Sequence, residues 1–121
     1  MRAALLPILV ATPTVAQTAI EGPLDYSQPF EEFVLRCTSV MGLLADGDDP
    51  IPGALDLMKL YLDPLIVSQR QADPVADQES VTRLIVATTN AYLDLPQPGG
   101  RELFIEDAEF CFEAARRFTE Q

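Results

Sequence analysis

Cys37 and Cys111 each fall in the middle of an apolar stripe with helical spacing, and no other feature constrains the fold of this chain so tightly. Phe30, Phe33, Val34, Cys37, Val40, Met41 and Leu44 follow the i, i+3, i+4, i+7 pattern of an amphipathic helix. At 100° per residue they occupy an arc of about 120°, with Cys37 at its centre. Near the other end, Phe104, Ala108, Cys111, Ala115 and Phe118 line one face of a helix that begins at Arg101. "RELFI" can also begin extended, which puts the start at Glu106 instead. Two half-cystines aimed at one core are expected to join as a single disulfide, with a buried pair of free thiols as the alternative. The loop so closed holds roughly 75 residues, for which chain entropy gives a model-dependent upper figure of about 4.5 kcal/mol.

The disulfide reading depends on compartment, and the first residues bear on that. "MRAALLPILVATPTVAQTA" has Arg2 in a short positive region, an apolar run from Ala3 to Ala11, and small residues at Thr14 and Ala16. This is the pattern of a secretory signal peptide over residues 1–16, with cleavage expected between Ala16 and Gln17. The apolar run is interrupted by Pro7 and falls well short of the roughly 20 residues of a membrane-spanning helix. The expected location is therefore periplasmic or secreted. The chain of 121 residues then divides into the leader, an extended polar lead-in over 17–28, and one helical domain over 29–121.

Punctuation in the middle of the chain defines two further helices. "ALDLMKLYL" (Ala54 to Leu62) is apolar on most sides and reads as a buried helix that Pro64 kinks or ends. Val81, Leu84, Ile85, Thr88, Ala91, Tyr92 and Leu95 repeat the spacing of the first helix and place another over 78–94. Asp49-Pro50, Asp63-Pro64 and Asp73-Pro74 each suit the start of a helix or helical turn, with Asp as N-cap and Pro at the first helical position. "DGDD" (Asp46 to Asp49) lacks the alternating ligands and terminal Glu of a calcium loop and reads as a turn. The expected fold is a small all-α antiparallel bundle of four helices, or five if Pro64 breaks the second, with the disulfide linking first and last.

Composition narrows function mainly by exclusion. Eight Lys and Arg against 19 Asp and Glu give a net charge of −11. Nucleic acid and anionic membrane surfaces are poor partners for such a chain, because both are bound through clusters of Lys and Arg. There is no histidine, which rules out Ser-His-Asp and Cys-His nucleophile systems and the usual zinc sites. No C-x-x-C pair is present for thiol–disulfide exchange. No catalytic residue, metal site or cofactor is expected.

Glu102, Glu106, Glu109 and Glu113 are spaced +4, +3 and +4, followed by Glu120 at +7. On a helix they make one acidic stripe opposite Cys111. Such a stripe is a solvated face or a docking surface for a basic partner. Paired catalytic carboxylates are the remaining alternative, for which an exposed stripe does not supply the differing environments that acid/base work needs. Elsewhere the cations are expected to be engaged locally, in the acid-first i, i+4 pairs Glu32–Arg36, Glu79–Arg83 and Glu113–Arg117. Leu35 and Leu43 point off the main stripe of the first helix, toward another helix or a dimer contact.

These features point to a non-catalytic module that binds another protein. In Leu35-Arg36-Cys37, Ala91-Tyr92-Leu93 and the Cys111 region the chain resembles the periplasmic amidase immunity proteins of type VI secretion systems. That family is small, exported and helical, with one cysteine in the first helix and another near the end. The resemblance implies an inhibitor of a cell-wall amidase and carries no functional residue with it. An acid-responsive periplasmic chaperone is the other alternative, since low pH would neutralise the many carboxylates and loosen the core.

Overall fold

The computed structural model of the chain describes residues 20–119. The signal-peptide reading and Glu120 lie outside them. Four helices follow in order: α1 (Phe30–Ala45), α2 (Ala54–Ala72), α3 (Gln78–Leu93) and α4 (Gly99–Thr119). Among the described residues there is no strand, and no helix is long and apolar enough to cross a membrane. The protein is a small all-α bundle whose first and last helices are joined covalently by Cys37–Cys111.

α1 is the central element. The one-sided stripe expected of it understates its burial, for all nine residues from Phe33 to Met41 are buried. The reason is that α2, α3 and α4 all pack against it, so it has no solvent face over this stretch. Its polar residues are satisfied where they stand. The Thr38 hydroxyl donates to the Val34 carbonyl at 2.7 Å and the Ser39 hydroxyl to the Leu35 carbonyl at 2.9 Å. These bonds back to the preceding turn let a hydroxyl enter a core without a distant partner. Leu35, off the predicted stripe, is buried as well.

α2 reverses the expectation of a helix buried on most sides. Ala54, Tyr61 and Leu65 are its buried residues, while Leu55, Leu60 and Val67 are exposed. It covers α1 as an outer layer, packing Leu57, Met58, Leu62 and Ile66 half-buried against the core and turning Leu55, Leu60 and Val67 to the surface. Pro64 neither ends nor splits it; the helix continues to Ala72, so the described residues form four helices and not five. Loss of one backbone hydrogen bond at Pro64 is offset by burial of Tyr61 and Leu65 on either side of it.

None of the three Asp-Pro pairs starts a helix, though Asp73-Pro74 opens a turn in which the Asp73 carbonyl accepts the Ala76 N–H at 2.9 Å. α2 begins after Gly53, which takes the left-handed conformation at φ 85°, and Asp49 lies in the preceding loop. That loop turns at Gly47 (φ 99°) and is tied back by the Ile51 N–H to the Leu44 carbonyl at 2.9 Å. Asp73 caps the C-terminal end of α2 and accepts from the Val75 N–H at 3.2 Å. α3 starts from Asp77, in a reciprocal capping box with Ser80: Asp77 Oδ1 accepts the Ser80 N–H at 2.9 Å and Ser80 Oγ accepts the Asp77 N–H at 3.0 Å.

α4 begins at Gly99, earlier than either Arg101 or Glu106. The Gln97 side chain substitutes for a cap by accepting the Arg101 N–H at 3.2 Å. Gly100 is buried where the α3–α4 turn folds onto the helix start: a Cβ there would lie 2.6 Å from Leu95 Cβ. The glycine pair that reads as a helix breaker is thus the first turn of the helix, because only a residue without a side chain fits beneath Leu95.

Candidate functional site

Cys111 sits in α4 at full burial, and its bond to Cys37 brings the two Cα atoms to 5.6 Å. The Tyr61 hydroxyl of α2 donates to the Cys111 carbonyl, and Phe33 meets Tyr61 and Phe110 edge-on with ring centroids 5.5 and 5.9 Å away. Burial pushes the Tyr61 phenol well above its ordinary pKa. The sulfurs therefore belong to the core.

One α-helical turn before Cys111 lies the polar centre that sequence reasoning missed. Asp107 and Arg36 are both fully enclosed, and Arg36 Nη2 donates to Asp107 Oδ2 at 2.6 Å. Arg36 Nε donates to the Tyr92 hydroxyl at 2.9 Å, and that hydroxyl donates in turn to Asp107 Oδ2 at 2.6 Å. The second carboxylate oxygen accepts the Leu24 N–H at 2.8 Å, and Arg36 Nη2 also donates to the Gly22 carbonyl at 2.7 Å. The guanidinium lies 5.6 Å from the Tyr92 ring centroid. Desolvation acts to lower the Arg36 pKa, but Tyr92 and Asp107 outweigh it and hold the guanidinium charged. Burial raises the Tyr92 phenol despite the adjacent cation, and the hydrogen bond to Asp107 adds to that rise.

This cluster joins α1, α3 and α4 to the segment before α1. The lead-in, read from sequence as extended and polar, is therefore anchored: Leu24 is buried and its backbone engaged. The expected Glu32–Arg36 pair exists, but at 3.4 Å it is the outer contact of an arginine committed to the interior. A usable signal was present. Asp107 stands four residues before Cys111, on the face that the periodicity assigns to the core.

The predicted surface stripe is placed as follows. Glu102, Glu106 and Glu109 are exposed, and the structure gives them no ion pair among the described residues. Glu113 differs. Its carboxylate takes Arg116 and, at 3.3 Å, the expected Arg117, and these hydrogen bonds, Arg116 first, hold it below the usual carboxylate range. Glu79–Arg83 also forms, at 2.9 Å on the surface.

Several surface concavities adjoin the bundle among the described residues, one of them, of about 120 Å³, lying between α1 and α2 beside Glu31, Glu32, Leu35 and Gln69. Beside the acidic stripe, an open groove of about 470 Å³ runs between α2 and α4. Leu57, Phe112 and Ala115 form its less exposed floor, and Glu109, Glu113 and Arg116 its rim. A smaller apolar cleft of about 210 Å³ lies among Phe30, Phe33, Leu60, Tyr61, Pro64 and Phe118. Phe30 and Phe118, both assigned to core stripes by periodicity, are half-exposed there because they stand at the outer ends of their helices. A further hollow, of about 580 Å³, is bounded by Leu43, Leu44, Tyr92, Leu93 and Phe104, with Arg101 at its edge. The off-stripe Leu43 thus lines a surface hollow.

The buried polar cluster has its hydrogen-bonding atoms engaged internally, and Glu109 lies beside apolar surface. No family model, curated protein or solved structure matches the chain.

Proposed function

We propose that the protein is a small exported binding module, without catalysis of its own, that recognises another protein through the α4 acidic face and the adjoining groove. The observation that carries this reading is the placement of Glu109, which has no ion pair among the described residues, at the rim of the apolar floor of Leu57, Phe112 and Ala115, with exposed Glu106 and Glu102 continuing the acidic line along α4. A desolvated apolar centre bordered by charge is the usual composition of a protein–protein contact. The carboxylates supply steering and partner choice, and the floor supplies affinity. The net charge of −11 selects a partner with a basic surface.

Two further observations support the non-catalytic and exported parts of the reading. Arg36 and Asp107, in the group that most resembles a reactive constellation, are buried with their charges engaged on each other, and Tyr92, which lines the hollow at Leu93, has its hydroxyl committed to both. The Cys37–Cys111 bond fits an oxidising compartment, as does the leader pattern over residues 1–16.

Site-specific photocrosslinking tests the proposal in the native cell. A benzophenone amino acid at position 109 should give an adduct with one other protein, whereas the same probe in place of exposed Val86 on α3 should give none. Equal labelling from both positions, or none from 109, would remove the proposed face. The intact mass of the purified protein should correspond to a chain beginning at Gln17; retention of residues 1–16 would overturn the export reading.

A further inference from the structure

We infer that the α2–α4 groove accepts a cationic amphipathic helix, so that the partner docks through one helical segment with Lys or Arg along one edge. The inference rests on the binding reading above and specifies its ligand. α4 supplies most of the groove and Leu57 of α2 its opposite edge. This leaves a shallow open channel with an apolar floor along α4, the kind of surface on which an amphipathic helix lays its i, i+3, i+4, i+7 anchors. Ile105 is 47% exposed, and at seven residues before Phe112 it shares a face with it, so apolar surface continues along α4 beyond the groove.

The charges match the same geometry. At 1.5 Å per residue, Glu102, Glu106 and Glu109 are spaced about 6 and 4.5 Å along the axis of α4. A second helix lying alongside presents i, i+4 and i+7 at the same intervals, so three cations at those positions meet three carboxylates together. Arg116 and Arg117 follow at the other end of α4, where they bind Glu113. This uneven distribution gives the docked helix a direction, with its cationic end toward Glu102. The other concavities supply no such selection: the cleft at Phe30 and Phe118 is lined by apolar side chains, the hollow at Leu93 has Arg101 as its sole charge, and in the one between α1 and α2, Glu31 and Glu32 are already engaged by Gln69 and Arg36.

The test uses the disulfide-intact protein and a labelled 18-residue helix of Leu and Lys, with Leu on one face and Lys at i, i+4 and i+7. Controls are a scrambled peptide of equal composition and a Leu/Glu helix. Fluorescence anisotropy should show saturable one-to-one binding of the Leu/Lys helix, at least tenfold tighter than the scrambled peptide, and none of the Leu/Glu helix. Leu57→Ser should weaken it at least tenfold, as should the surface double reversal Glu106→Lys with Glu109→Lys, which leaves the core untouched. The matched reversal Glu79→Lys with Asp94→Lys on the α3 side should change it less than threefold. Equal affinity for the scrambled peptide, or equal loss from the two double reversals, would reduce the effect to net charge and overturn the inference. Loss on Phe118→Ser with none on Leu57→Ser would also overturn it, by moving the ligand to the other cleft. Crosslinks from position 109 together with any of these results would leave the binding face standing and remove only the helical ligand.

Discussion

Arg36 and Asp107, separated by 71 residues, meet at 2.6 Å in the interior, with the arginine 1% and the aspartate 0% exposed. Both charges have lost their water, so their mutual attraction and the bonds to Tyr92, Leu24 and Gly22 together offset the desolvation. Such a pair contributes modest net stability when whole and becomes a large liability when halved.

Asp107→Ala should therefore cost about 3–5 kcal/mol, since it leaves the guanidinium buried without its counter-charge. Arg36→Met with Asp107→Leu should cost less than the sum of the single changes. Urea unfolding of the four members of this cycle measures the coupling. Additive losses would mean that the two residues act independently.

The Cys37–Cys111 bond closes a long loop of the unfolded chain. Replacing both cysteines by Ala should lower stability by about 2–5 kcal/mol, read as a fall in the urea midpoint. The native protein, denatured without reductant, should show no reactive thiol.

Gly100→Ala should destabilise, although the same change in an ordinary helix position stabilises by about 0.5–1 kcal/mol. The new Cβ would stand 2.6 Å from Leu95 Cβ and 3.0 Å from its carbonyl oxygen, and overpacking of this kind costs about 1–3 kcal/mol. Gly22→Ala, which meets open space, is the control for thermal melting.

Thr88 is fully buried, and its hydroxyl has no hydrogen-bond partner among the described residues. An unsatisfied buried hydroxyl costs about 1–3 kcal/mol, so Thr88→Val should raise stability by about 1 kcal/mol. A lowered melting temperature would show that the hydroxyl is satisfied after all.

Tyr61 and Tyr92 keep their protons in the folded state to a pH above their ordinary value, because burial disfavours phenolate. The unfolded chain releases them near about pH 10. Stability from this source is complete below that pH and declines as pH rises beyond it. Circular dichroism should thus show cooperative unfolding on the alkaline side, accompanied by phenolate absorbance from both tyrosines. Smooth phenolate formation with the helical signal intact would contradict the burial.

Much of the helical content was legible because it is local. α1 and α3 were placed to within a residue or two by a spacing that each segment carries within itself. The i, i+4 pairs were equally readable, as were the two cysteines at the centres of their stripes. Boundaries failed where a distant atom decided them. α4 starts at Gly99 because Leu95 leaves no room for a side chain at position 100. α2 runs through Pro64 because its burial on α1 outweighs one missing hydrogen bond. On the candidate site, the acidic stripe was visible in sequence, whereas the groove beside it was not, since Leu57 lies on another helix.

By itself, then, the sequence determined that this is an acidic helical chain whose two half-cystines sit on core faces, because periodicity and charge belong to single segments. Only the tertiary structure decided that α1 lies at the centre, that Arg36 abandons the surface for Asp107, and that Glu109 borders an apolar groove. The physical reason is the same for all three. Burial and desolvation depend on what approaches from across the fold, and the strength of a charge pair depends on how much water its neighbours exclude.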